Sequence, residues 1–186
     1  MEEIINIVAH HGTSYEGEKG ILRTRKFESS MKDNEWLGHG IYFFHDKNSK
    51  ENGELWAKNY KKFKFYSIIE AELKANKEKI LDLDNAEWQE FFHEFRSAQL
   101  KVYKSKGINI VDNCNNSIKL DCKLIDDITN KVGFDLVKQR RYIELRERNG
   151  DKLIGSHIPN CSILCVKNNN IIDKNSIKCI GRGGIK

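Results

Sequence analysis

The apolar residues of this chain change period along its length, and that change limits the fold more than any other feature. Ile4, Ile5, Ile7 and Val8 form a short run of strand length near the start. Ile41-Tyr42-Phe43-Phe44, the stretch from Phe63 to Leu73 and the segment from Ile80 to Leu83 read the same way. Later strands are expected at Phe134 to Lys138, Arg141 to Leu145, Ser162 to Val166 and Ser176 to Ile180. Trp88, Phe91, Phe92, Phe95, Ala98 and Val102 instead recur every three or four residues, the stripe of an amphipathic helix opened by Asp84 or Asn85. Leu124, Ile125, Ile128 and Val132 give a second stripe. Shorter helical segments are expected from Tyr15 to Leu22, and from a cap at Asp46, Asn48 or Ser49 to about Tyr60. Strands and helices mix without regular alternation, so the expected class is α+β and not a doubly wound sheet.

The chain has 186 residues, no internal repeat, no long linker and one proline, Pro159, that marks no boundary. Residues 1–186 therefore read as a single domain. With 39% hydrophobic and 32% charged residues, the composition suits a soluble globular protein. No run of about eighteen apolar residues exists, so no membrane association is expected. Met1-Glu2-Glu3 lacks the basic start of a secretion signal, which points to a cytoplasmic location. The five cysteines are odd in number and show no tight framework, which suggests free thiols in a reducing compartment. A net charge of +5 leans toward an acidic partner, although a solvated lysine-rich surface explains it more simply.

Chemistry concentrates in the first third. His11-Gly12-Thr13 falls where the first strand is expected to end. A histidine there offers an imidazole beside a glycine whose bare backbone a flat ligand can approach. A carboxamide suits such a place, having one acceptor and two donors in a plane. Trp36-Leu37-Gly38-His39-Gly40 then introduces the aromatic strand, and Trp56 follows on a helix. Tyr42 and Trp56 offer ring faces to a flat cationic ring, each such contact being worth ~0.5–2 kcal/mol. The nicotinamide of NAD is such a ring.

With these segments in place, the sequence resembles the ADP-ribosyltransferases of the diphtheria-toxin and poly(ADP-ribose) polymerase type. Their pattern is His-Gly-Ser/Thr on the first strand, Gly-x-Gly-Ile-Tyr-Phe, then a late strand led by glutamate. His11-Gly12-Thr13 and Gly38-His39-Gly40-Ile41-Tyr42-Phe43 match the first two parts. The resemblance implies a split β-sheet core flanked by helices, with NAD as the substrate. It implies that His11 bonds a ribose hydroxyl of the adenosine half, and that the Gly12 backbone holds the carboxamide. Thr13 would sit beside the ribose, Gly40 would belong to the NAD-binding set, and Tyr42 would stack on the nicotinamide. Trp56 would take the second stacking place, and Gly53 stands where the family often has a small hydroxyl residue. The match fails on the last strand, Cys161 to Val166, where the place of the catalytic glutamate falls on Ser162 or Ile163. Glu144, Glu147 or Asp151, from the preceding segment, could supply a carboxylate instead.

The activity implied is transfer of a single ADP-ribose unit to a macromolecular acceptor, protein or nucleic acid. By analogy with compact family members, a toxin or anti-phage effector is implied, with a neutralising antitoxin as a possible partner. Three rivals stand beside it: a module that binds NAD or ADP-ribose without catalysis, an NAD glycohydrolase, and a basic nucleic-acid binder. His10 and His39 read as bystanders, and Phe91, Phe92 and Phe95 as core. His157, Cys161 and Cys165 recur every four residues, but Pro159 breaks any helix there, and no metal is expected. Arg140, Arg141, Arg146, Arg148 and Arg182 read as a solvated basic face or as phosphate contacts. The tail from Gly181 to Lys186 is no phosphate loop, because no helix can follow it.

Overall fold

The computed structural model describes residues 3–108, 114–145 and 156–185. It is an α+β structure built on a seven-stranded mixed sheet with helices against both faces. The strands are β1 (Ile4–Ser14), β2 (Ile41–His45), β3 (Phe65–Asn76), β4 (Ile80–Asp82), β5 (Leu136–Arg141), β6 (Cys161–Val166) and β7 (Lys178–Gly184). Their order across the sheet is β4-β5-β6-β2-β1-β3-β7. Only β4 and β5 run parallel; every other neighbouring pair is antiparallel.

The pairing is uneven in a way that matters. β1 pairs with β3 from Ile4 through Ser14, and β2 pairs with β6 from Ile41 through His45. Yet β1 and β2 meet at the single pair His10 and Phe44. Two half-sheets, β7-β3-β1 and β2-β6-β5-β4, thus join at one point and part on either side of it. The first strand is also longer than its apolar run suggests. β3 carries the pairing on through His11, Gly12 and Thr13, so these lie within the strand and not at its end.

Alternation sorts the core into two layers. On β6, Leu164 and Val166 join Ala9, Phe43, Ile69 and Leu136 on one face, and Cys161, Ile163 and Cys165 join Phe44, Leu81 and Val137 on the other. Helix α1 (Tyr15–Thr24) brings Ile21 and Leu22 to the first face. Helix α3 (Ala86–Ser105) brings Phe92 with Trp88, Phe91 and Phe95 to the second, and α4 (Cys114–Val132) adds Leu124, Ile125 and Ile128. Asn85 caps α3, its side chain accepting from the N–H groups of Glu87 and Trp88.

Other boundaries moved. The two strands expected between Phe134 and Leu145 are one, β5, which ends at Arg141. The last strand starts at Lys178, and Gly181 to Gly184 belong to it, paired with the stretch from Phe65 to Ile68. The expected helix to Tyr60 is α2 (Ser49–Leu55) followed by one π turn, Trp56–Tyr60. Asn48 precedes α2, and the Asp46 carboxylate holds that start by accepting from the Asn48 N–H.

An ion pair with a buried carboxylate ties α1 to the edge of the sheet. Glu18 is 1% exposed and bonds to Arg182 of β7 and to the Ser67 hydroxyl of β3. The guanidinium, chiefly, holds its carboxyl down to about 2. Helix α2 docks on the opposite face through Gly12 and Gly53: a Cβ on Gly12 would lie 2.0 Å from the Gly53 carbonyl oxygen. His10 adds a side-chain link, with Nδ1 2.8 Å from Ser49 Oγ and Nε2 3.2 Å from Glu70 Oε2.

The two glycines are not equivalent. A Cβ on Gly53 would meet nothing closer than 3.5 Å. Gly12→Ala is therefore expected to destabilise the protein by about 3 kcal/mol through overpacking. Gly53→Ala should be neutral or stabilise by up to ~1 kcal/mol through helix propensity. Denaturant melts of the two variants check this, and equal losses would contradict the packing described.

Candidate active site

Where β1 and β2 part, a cleft of about 190 Å³ opens, lined by His11, Gly12, Thr13, Gly40, Tyr42, Trp56 and Ile163. The loop between α1 and β2 adds Glu28, Ser30, Glu35 and Trp36, while Phe43, Phe44, Lys61 and Phe63 complete it. Both glycine motifs and the late strand thus meet in one place. Ser162 does not line it.

His11 bridges the gap. Its Nδ1–H donates to the Tyr42 carbonyl at 2.8 Å, where the strands no longer pair. Its ring packs against Phe27 and Phe43 at 5.4 and 5.7 Å between centroids. Burial lowers its pKa below the ordinary 6.5, the bond to Tyr42 works against that, and the charge of Lys61 adds to the lowering. The ring is therefore neutral near pH 7, and with Nδ1 donating, Nε2 is left as an acceptor. A sugar hydroxyl is a natural donor to it.

Tyr42 serves the turn before it. Its hydroxyl donates to the Gly38 carbonyl at 2.7 Å and accepts from the Leu37 N–H at 2.9 Å. Burial raises the phenol far above its usual range, so it stays protonated. Its ring is what it offers to the cleft.

The Gly38-His39-Gly40 turn is clamped from behind. Gly38 has φ +75, and a Cβ there would lie 2.2 Å from Asp126 Oδ1. Gly40, at φ +154, has room for no Cβ either, since one would sit 2.6 Å from Cys165 Sγ. Asp126 of α4 accepts from the His39 N–H at 2.9 Å and lies 2.8 Å from His39 Nδ1. The Lys167 ammonium lies 2.8 Å from Asp126 and donates to the His39 carbonyl at 2.7 Å. His39 is thus structural and more than a bystander. His39, Cys122 and Asp126 also present ligand atoms within 4.8 Å of one another, but the lysine already supplies the positive charge at that node.

Trp56 lines the cleft with one ring face already covered. The π turn lays Tyr60 flat on one of its faces, with centroids 4.0 Å apart and planes at 9°. Trp36 and Phe44 meet its ring at steep angles. Lys61 stands 5.3 Å from the same ring.

Acidic groups enter from an unexpected side. On β6, Ile163 faces the cleft, whereas Ser162 sits on the other face of the strand and its N–H donates to Asp46 Oδ2 at 2.9 Å. Glu144 does not line the cleft, and the Tyr142 hydroxyl donates to it at 3.0 Å. Glu147 and Asp151 fall outside the described residues, as do Arg146 and Arg148. The carboxylates that do line it are Glu28 and Glu35, from the loop between α1 and β2. Sequence reasoning singled out neither these nor Lys61.

The remaining candidates sort simply. Arg182 is held by Glu18, and Arg141 lays its guanidinium 5.4 Å from the Trp36 ring at the rim of the cleft. Cys161 and Cys165 are free thiols in the core, pushed up to about 12 by burial and hence unreactive. Among the described residues, no helix is long and apolar enough to cross a membrane.

The lowered value of His11 has a measurable sign. The unfolded chain takes up a proton first as pH falls below 6.5, so stability is lost from there toward the folded value. His11→Phe is expected to flatten that part of the curve. Melting temperatures above and below pH 6.5 check it, and an unchanged slope in the variant would show that His11 titrates normally.

No family model matches the chain. It is similar to the uncharacterized protein MJ0359 of Methanocaldococcus jannaschii, with 25% identity over 94% of this chain and 88% of that protein.

Proposed function

We propose that the protein binds NAD in this cleft and transfers its ADP-ribose to a macromolecular acceptor, on an ADP-ribosyltransferase-like split sheet. The observation that carries this reading is the bond from His11 to the Tyr42 carbonyl across the parting of β1 and β2. It gathers the two segments that resemble the family motif into one ring-lined cleft.

The residues suit a dinucleotide in several respects. The neutral His11 offers Nε2 to a ribose hydroxyl. Tyr42, Phe43, Phe44 and Trp36 give ring surface to the nicotinamide. Lys61 and Arg141 bring positive charge for the phosphates. Two expectations change in detail. Gly12 is close-packed on α2, so its lack of a side chain serves the helix. Trp56 has one face taken by Tyr60, which leaves Tyr42 as the principal stacking ring.

In the reaction, the bond between the anomeric carbon and the nicotinamide nitrogen breaks with its electron pair passing to the ring. The acceptor then forms the new bond at that carbon. A cleft that fixes the geometry and opposes the developing positive charge is sufficient catalyst.

Ile163 facing the cleft favours a second reading, an NAD-binding module without turnover. Incubation with labelled NAD separates the two. Transferase activity puts label on a macromolecule, and nuclease or protease digestion then identifies the acceptor class. A glycohydrolase yields only free ADP-ribose, and a binding module shows protection by NAD without release of nicotinamide. His11→Ala is expected to lower nicotinamide release by about 100-fold through misplacement of the substrate. No binding of NAD by the wild type would end the proposal.

A further inference from the structure

The cleft contains an acidic side chain that no part of the family pattern places, and its supports are built into the turn that carries the tyrosine strand. Ser30 and Gly40 exchange two backbone bonds, Ser30 N–H to the Gly40 carbonyl at 2.8 Å and Gly40 N–H to the Ser30 carbonyl at 3.1 Å. The Ser30 hydroxyl donates to Glu35 Oε1. Glu35 is thereby fixed to Ser30, whose backbone pairs with Gly40, two positions before Tyr42. Of the two cleft carboxylates Glu28 is exposed, whereas Glu35 is half-buried and anchored.

Its charge reaches the groups that matter. It is close enough to bear on the Tyr42 phenol, and to counter part of the lowering that burial and Lys32 impose on Lys61. The late strand offers nothing comparable, since Ile163 is apolar and Ser162 lies on the other face.

We infer that Glu35 is the acidic catalytic group of this cleft, its carboxylate accepting from the hydroxyls of the nicotinamide-side ribose and opposing the positive charge that forms as nicotinamide leaves. The inference rests on the NAD reading above. As the glycosidic C–N bond breaks, its electron pair goes to the pyridinium nitrogen and neutral nicotinamide departs. The acceptor's lone pair closes on the anomeric carbon, and its proton is lost to solvent. Glu35 is unchanged at the end. Its work is to hold the ribose and to lower the energy of the cation-like state. Ser30 is a positioning residue that restrains the carboxylate.

The test uses the full chain with Glu35→Gln, Glu35→Asp and Ser30→Ala. NAD binding is read by quenching of tryptophan fluorescence, turnover by nicotinamide release at saturating NAD, and folding by thermal melts. Glu35→Gln is expected to lower nicotinamide release by about 100-fold while leaving Kd for NAD within about threefold, a loss confined to kcat. Glu35→Asp should recover part of that loss. Ser30→Ala should reduce release by about 10-fold, since one bond to a charged group is removed, and it carries the test should Glu35→Gln not fold. Release by Glu35→Gln within threefold of wild type overturns the inference and leaves the NAD reading standing. A wild type that binds NAD and releases no nicotinamide overturns the inference together with the transfer reading and leaves a binding module. A wild type that does not bind NAD ends both.

Discussion

The structure depends on one hydrogen bond across a gap. Where β1 and β2 part, the backbone no longer joins the half-sheets, and the imidazole of His11 takes over by donating to the Tyr42 carbonyl. That bond sets the tautomer, the tautomer leaves Nε2 as an acceptor, and burial keeps the ring neutral. A histidine on a fully paired strand would have none of these properties. The parting of the strands makes the cleft, and the side chain that spans it becomes part of the lining.

Around this bond the fixed charges are arranged in layers. Behind the glycine turn, Asp126 and Lys167 satisfy the backbone of His39. In front of it, Glu35 and Lys61 both line the cleft, and the charge of Glu35 bears on the Lys61 ammonium. The first pair is structural and holds the turn in a conformation open only to glycine at residue 38. The second pair stands in the cleft and gives its lining charges of both signs.

Much of this was legible in the sequence, and the failures have physical causes. The period of three and four found α3 and the core part of α4, because those helices each bury one stripe. Short apolar runs found β1, β2 and β6. The extent of β1 was misread because His11, Gly12 and Thr13 lack an apolar pattern; β3 keeps them extended through backbone bonds that leave no mark on side-chain periodicity. The convergence of the His11 and Tyr42 segments was implied by the family resemblance of the two motifs. Glu35 was not visible, because its place in the cleft comes from the Ser30–Gly40 bridge, a long-range pairing inside a polar loop. Gly12 was singled out for a ligand's sake, and the close approach of Gly53, more than forty positions later, is what its missing side chain accommodates.

The Glu18–Arg182 pair has a consequence for how the chain is closed. Glu18 is 1% exposed while the Arg182 side chain is 60% exposed, so the carboxylate is the inner member and the guanidinium the cap laid over it. Arg182 belongs to the last strand, and Glu18 to the first helix. The carboxylate that enters the interior with the first helix is thus neutralised by residues of β7, Arg182 lying 164 positions further on. Until those residues reach the sheet edge, the first helix carries an uncompensated charge against the core, which makes the order of assembly and the order of synthesis different things.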